Sequence, residues 1–240
     1  MGRSVRGASH VRSGLPNQDA IGWIDNYDSA GNLLLAVADG HGSAKCFRSD
    51  YGSRFAVEAA KSVLSAPEPF DTEELPSEIV RRWRQSVRDH LSAEPFLNGQ
   101  LLALEHKLGI DARRSVESDP VLAYGSTLLA AVVSDSSVCY LQLGDGDILA
   151  VSGSAEVSRP WPRDRDQLGD ETASLATHDA AREVRIARHG PEDLPALVLL
   201  ATDGYANSFR EDDGFLAVGY DLLKMILTEG IAPITENLEC

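Results

Sequence analysis

The chain of 240 residues is 43% hydrophobic and 25% charged, which excludes disordered, collagen-like and low-complexity classes. Lys and Arg number 22 against 37 Asp and Glu, a formal net charge of −15. A chain this acidic lacks the basic footprint of a nucleic-acid or anionic-membrane binder. Its expected partners are cations, basic peptides, or substrates whose negative charge a bound metal offsets.

From the N-terminus, MGRSVRGASHVRSG carries basic residues but no apolar stretch behind them, so no secretory signal reads there. The longest apolar runs, Leu33–Ala38, Leu128–Val133 and Ala196–Ala201, fall far short of the about 20 residues of a membrane helix. Leu33–Ala38 reads as a buried strand. After it, Phe47, Tyr51, Phe55, Ala59 and Val63 recur every four residues and predict one face of a helix. Ile79, Trp83, Val87 and Leu91 form a second such stripe, with Pro76 near its start, where a missing donor is harmless. Strands follow at Thr127–Val133, Val138–Leu143, Ile148–Val151 and Leu197–Ala201. The polar segment from Pro160 to Pro195 predicts long surface loops. A last helix is expected from about Phe215 to Leu227, with Leu222, Leu223, Met225 and Ile226 as core contacts. With no repeat and no Gly/Ser linker, the pattern predicts one α+β domain over 1–240. Cys46, Cys139 and Cys240 lie outside any CxxC or Cys/His pattern, which suits a reducing, cytoplasmic compartment.

Three apolar runs end in Asp-Gly: LLLAVADG at Asp39, YLQLGDG at Asp145 and LVLLATDG at Asp203. Asp-Gly is a favoured hairpin turn, and at Asp145-Gly146, where a strand resumes at once, that reading and a ligand role stand about even. Asp39-Gly40-His41-Gly42 leads into a helix, and Asp203-Gly204 into Tyr-Ala-Asn-Ser-Phe, so neither turns back as a hairpin. Carboxylates gathered at strand ends repel one another unless protonated or bound to a cation. Oxygen ligands suit Mg²⁺ or Mn²⁺ better than Zn²⁺, and Gly beside the Asp lets backbone approach the ion. His41 is placed to donate a proton beside such a site.

The motifs GASHVRSGLPNQDA, LLLAVADGHG, YGSTLLAAVV, LQLGDGDILAV and LLATDGYANSF, in that order, resemble the metal-dependent type 2C protein phosphatases, in their divergent bacterial branch. The resemblance spans roughly residues 1–220. It implies a four-layer α-β-β-α sandwich, two antiparallel sheets flanked by helices, with a two-metal centre at one edge. It implies that Asp39 bridges two Mg²⁺ or Mn²⁺ ions, that the Gly40 carbonyl and Asp203 ligate, and that Asp19 holds metal-bound water. Asp145 matches a residue of a further, weaker metal position, and Asn207 stands where many members carry a second Asp for that third ion. His41 matches the general acid for the leaving alkoxide. The implied reaction is hydrolysis of phosphoserine or phosphothreonine by a metal-activated water, on a phosphorylated protein substrate, with a partner serine/threonine kinase and with neither nucleic acid nor membrane as partner.

Three departures from the family pattern stand out. Gln18 replaces the usual Glu before Asp19. Gly14 stands where the phosphate-binding Arg belongs, leaving Arg12 as the nearest candidate, with Arg6 and His10 besides. The sequence ends Thr-Glu-Asn-Leu-Glu-Cys, without the usual C-terminal strand and its metal-ligating Asp. A phosphatase-like binding or regulatory module with little or no catalysis is the alternative these departures favour.

Overall fold

A computed structural model describes residues 1–6, 14, 16–28, 31–66, 73–162 and 173–237. In chain order the elements are β1 (Ala20–Ile24), β2 (Leu33–Ala38), α1 (Ser49–Leu64), α2 (Leu75–Ala93), α3 (Asn98–Leu108), α4 (Ile110–Ser118), β3 (Leu128–Val133), β4 (Val138–Leu143), β5 (Asp147–Val151), β6 (Val157–Ser158), α5 (Ala180–Glu183), β7 (Arg185–His189), β8 (Leu197–Ala201), α6 (Asp203–Ala206), α7 (Asp212–Glu229) and α8 (Ala232–Asn237). Among the described residues the strands form two antiparallel sheets, one ordered β1-β2-β3-β4-β7 and one β6-β5-β8.

Period-two alternation explains the layers. On β3, Leu128 and Ala130 face the helices α1 and α2, whereas Leu129 and Ala131 face the second sheet. On β4, Val138 and Tyr140 join the inter-sheet cluster, and Leu141 and Leu143 join the helix side. Ile148 of β5 faces inward to the first sheet while its neighbour Leu149 packs with Phe215 of α7. Three apolar clusters thus separate four layers, α-β-β-α, and strands buried on both faces read as continuous apolar runs.

Close packing of α1 comes from small residues. A Cβ on Gly52 would lie 1.8 Å from the Tyr124 carbonyl oxygen, so only glycine lets this helix seat there. The buried face is Ser49, Gly52, Ser53, Ala56, Val57, Ala59, Ala60 and Val63. Tyr51 and Phe55 are turned partly aside, into an aromatic group with His90 and Tyr124. Arg48 anchors the loop before this helix: its guanidinium donates to Tyr124 Oη at 2.8 Å and to the Pro95 carbonyl at 3.0 Å, and stacks on Phe96.

Two expectations are corrected. The segment from Pro160 to Pro195 is not loop throughout: Arg185–His189 forms β7, paired with β4, and 163–172 lies outside the described residues. On α7 the buried contacts are Phe215, Gly219 and Leu223, with Leu222, Met225 and Ile226 only half-buried. No described helix is long and apolar enough to cross a membrane.

Candidate active site

Register places the candidate residues at one end of the sandwich. Ala20 pairs with Ala38, Leu128 with Leu143, and Asp147 with Ala201. Asp19 therefore precedes the start of β1 beside Asp39, which follows the end of β2. Asp145 and Asp203 lie just beyond β4 and β8 at the same end. The Gly144-Asp145-Gly146 segment does not close a hairpin: β4 and β5 belong to different sheets, and this turn carries the chain from one to the other. Gly144 needs its φ of +98°, and a Cβ on Gly146 would lie 2.9 Å from the Ala201 carbonyl oxygen.

Asp39 is fixed by its backbone. Its N–H donates to Thr127 Oγ1 at 2.9 Å, and its carbonyl accepts from the Thr127 N–H and the Ser126 hydroxyl, each at 2.9 Å. The YGST motif thus holds the strand end, a role that the sequence reading did not assign to it. Gly40 donates its N–H to the Gln18 carbonyl at 3.1 Å, and a Cβ there would lie 2.6 Å from Ser49 O and 2.7 Å from Gln18 O. The His41 N–H reaches the Gly125 carbonyl at 3.1 Å, and Gly125 leaves room for the imidazole.

The Asp39 carboxyl lies within hydrogen-bonding reach of both Asp203 and Asp19. Burial first, then the Asp19 charge and the contact with Asp203, push it up to about 9. Asp203 opens α6 and accepts from the Asn207 amide at 3.0 Å, and Asp19 accepts weakly from Thr202 at 3.5 Å. Burial lowers the His41 pKa, while the charges of Asp145 and Asp203 pull it upward. His41 Nε2 is buried with no hydrogen-bond partner among the described residues. Gln18, buried, donates to Ser49 Oγ and more weakly to the His41 carbonyl.

Thus Asp19, Asp39, Gly40, His41, Asp145 and Asp203 come together. Arg12 and His10 lie outside the described residues, and Arg6 is exposed near the N-terminus. The donor chemistry is all oxygen around a carboxyl whose pKa burial and the neighbouring carboxyls raise. That fits a hard divalent ion. Among the described residues, however, no three His, Cys, Asp or Glu side chains already close on one ion position.

The protein phosphatase 2C model matches residues 6–240. The chain belongs to the protein phosphatase 2C family. As a member it is a serine/threonine protein phosphatase, from a family that requires metal. No curated protein matches its sequence. Its fold is similar to the catalytic domain of serine threonine protein phosphatase PstP in complex with 2 manganese ions, with TM-score 0.55 and 16% identity over 95% of this chain and 89% of that one. It is similar to the S. agalactiae serine/threonine phosphatase, with TM-score 0.52 and 15% identity over 89% and 81%. Stp1 from Staphylococcus aureus gives 0.50 and 15% over 90% and 84%. The side-chain amides of Gln18 and Asn207 both serve as hydrogen-bond donors, to Ser49 and to Asp203.

Proposed function

We propose that Asp19, Asp39 and Asp203, with the Gly40 carbonyl, hold two Mg²⁺ or Mn²⁺ ions for hydrolysis of phosphoserine and phosphothreonine in protein substrates, with Asp145 beside a third. The observation that carries this reading is Asp39, a strand-end carboxyl set between those of Asp19 and Asp203. When bound, the divalent ions supply charge neutralisation at the phosphoryl group and an attacking water of lowered pKa. The chain's own part is positioning and proton transfer. Thr127 and Ser126 keep Asp39 in register, Asn207 orients Asp203, and His41 gives its proton to the leaving serine or threonine oxygen. Burial lowers the affinity of the imidazole for that proton, and the charges of Asp145 and Asp203 oppose the shift and favour the protonated form. Arg12 is the phosphate-binding candidate.

We place this activity in the cytoplasm, opposite a serine/threonine kinase, as a single phosphatase domain over 1–240. A second reading, a binding or regulatory module of low activity, draws on Gln18 in place of a carboxylate and on the absence of a closed three-ligand shell among the described residues. Hydrolysis of an aryl phosphate and of a phosphoserine peptide with Mn²⁺, with and without chelator, decides between them. Chelator-sensitive turnover that Asp39→Asn abolishes is the result expected. Turnover absent at saturating Mn²⁺ leaves the second reading.

A further inference from the structure

A cavity of about 310 Å³ opens beside the candidate site, between the loop that follows His41 and one face of α3. Gln18 and Gly42 line it, each one residue from a candidate site residue, Asp19 and His41. On α3 its wall is Gln100, Ala103, Leu104 and Lys107, the spacing of a single helix face. Its size is at the lower end of the about 300–1,000 Å³ typical of ligand pockets, room for one long side chain. Pro16, Phe47, Ala103 and Leu104 give apolar flanks, and the Asp50 carboxylate with the Gln18 amide oxygen gives acceptors. Lys107, exposed, is the only cation among the described lining residues.

We propose that this cavity is a specificity subsite that takes a basic side chain, arginine or lysine, flanking the phosphoresidue of the protein substrate. The inference rests on the phosphatase reading of the neighbouring site. Apolar flanks accommodate a methylene stem whose charged head seeks acceptors. Asp50 supplies the counter-charge. Its Oδ2 is held by Arg54 at 2.7 Å, an i,i+4 pair in which Arg54 is 57% exposed, weak enough for a better-shielded cation to compete. An acidic side chain would meet Asp50, and a purely apolar one would strip water from Asp50 without replacing it. The net charge of −15 favours approach of a basic segment.

The test is fluorescence anisotropy on the full chain with labelled phosphoserine peptides in which one arginine replaces alanine at each flanking position in turn. At least one arginine peptide is expected to bind about tenfold more tightly than the all-alanine peptide. Ala103→Trp, which fills the cavity from the exposed face of α3, and Asp50→Asn should each erase most of that preference, and Lys107→Glu should enlarge it. Equal affinity across the set, or an arginine preference that survives both Ala103→Trp and Asp50→Asn, overturns the proposal. The charge variants serve where Ala103→Trp fails to fold. Aryl phosphate turnover by the unmodified chain is measured alongside. Its loss with the arginine preference intact would overturn the phosphatase reading and leave a basic-peptide subsite, whereas turnover without preference would do the reverse.

Discussion

The Asp39 carboxyl, at the end of a strand in one sheet, lies within hydrogen-bonding reach of Asp203, at the end of a strand in the other. Two carboxylates so placed join the sheets only if a proton or a cation stands between them. The strand-end geometry is therefore at once the site's chemistry and a stress on the metal-free fold.

That stress has a sign. The Asp39 carboxyl is at about 9 in the folded chain against 3.8 ordinarily, so folding takes up a proton between these values. Its contribution to stability is complete below the unfolded value and is lost as pH rises toward about 9. In chelator, the melting temperature should fall by several degrees from about pH 6 to about pH 9, on a scale of about 2–4 °C per kcal/mol. Asp39→Asn should flatten this profile, and Mn²⁺ should raise the melting temperature of the unmodified chain but not of the variant. A profile that Asp39→Asn leaves unchanged would remove Asp39 from the argument.

His41→Ala should lower turnover of an alkyl phosphate or a phosphoserine peptide by about 10²–10⁴-fold. A nitrophenyl phosphate, whose leaving group needs little protonation, should lose far less. Equal losses on both substrates would make His41 a structural residue, consistent with its packing against Gly125.

Arg159 ties β5 to α7 behind the site. Its Nε donates to Asp147 Oδ1 at 2.6 Å, and its two terminal nitrogens bind Asp212 at 2.9 and 2.6 Å. The Asp147 side chain is only 4% exposed. Removing one partner of such a pair costs about 3–5 kcal/mol. Arg159→Met should lower the melting temperature by roughly 10 °C. It should also weaken Mn²⁺ binding, read by calorimetry, because Asp147 pairs with Ala201, two residues before Asp203.

Gly40→Ala should be poorly tolerated, since the new methyl meets the backbone oxygens of Ser49 and Gln18 rather than a flexible side chain. Overpacking of this kind costs about 1–3 kcal/mol, and here it would displace Asp39 as well. Gly42→Ala, with nothing within 4 Å, is the control and should melt with the unmodified chain.

The strands at 33–38, 128–133, 138–143, 147–151 and 197–201 were legible because each is a short, nearly uninterrupted apolar run. β7 was not, because Arg-Ile-Ala-Arg-His mixes polar and apolar residues without a strand period and only its pairing with β4 makes it a strand. The helices α3 and α4 bury little beyond Leu104 and Val116, so their periodicity carries a weak signal. On α1 the spacing of the large residues pointed to Tyr51 and Phe55, but close approach to Tyr124 selected the face carrying glycine and alanine. In the site, the Asp-Gly strand ends were readable as carboxyls gathered at one end of the sandwich. The role of Asn207 was not, since an amide four residues after Asp203 acquires meaning only when the α6 turn brings it to that carboxylate. The crossing at Asp145-Gly146 was equally hidden, for a hairpin and a sheet-to-sheet turn share the same local sequence.

The bond from the Asp39 N–H to Thr127 spans 88 residues of chain, and the helices α1 to α4 lie within that interval. Closing so long an excursion is a slow step, because its entropy is lost before any β2–β3 hydrogen bond forms. The helices, held by local contacts, can form early, while Asp39 is fixed at its strand end only when β2 and β3 zip together. Asp145 and Asp203 follow β4 and β8, so a nascent chain gathers these carboxyls only after β8 has been synthesised and docked.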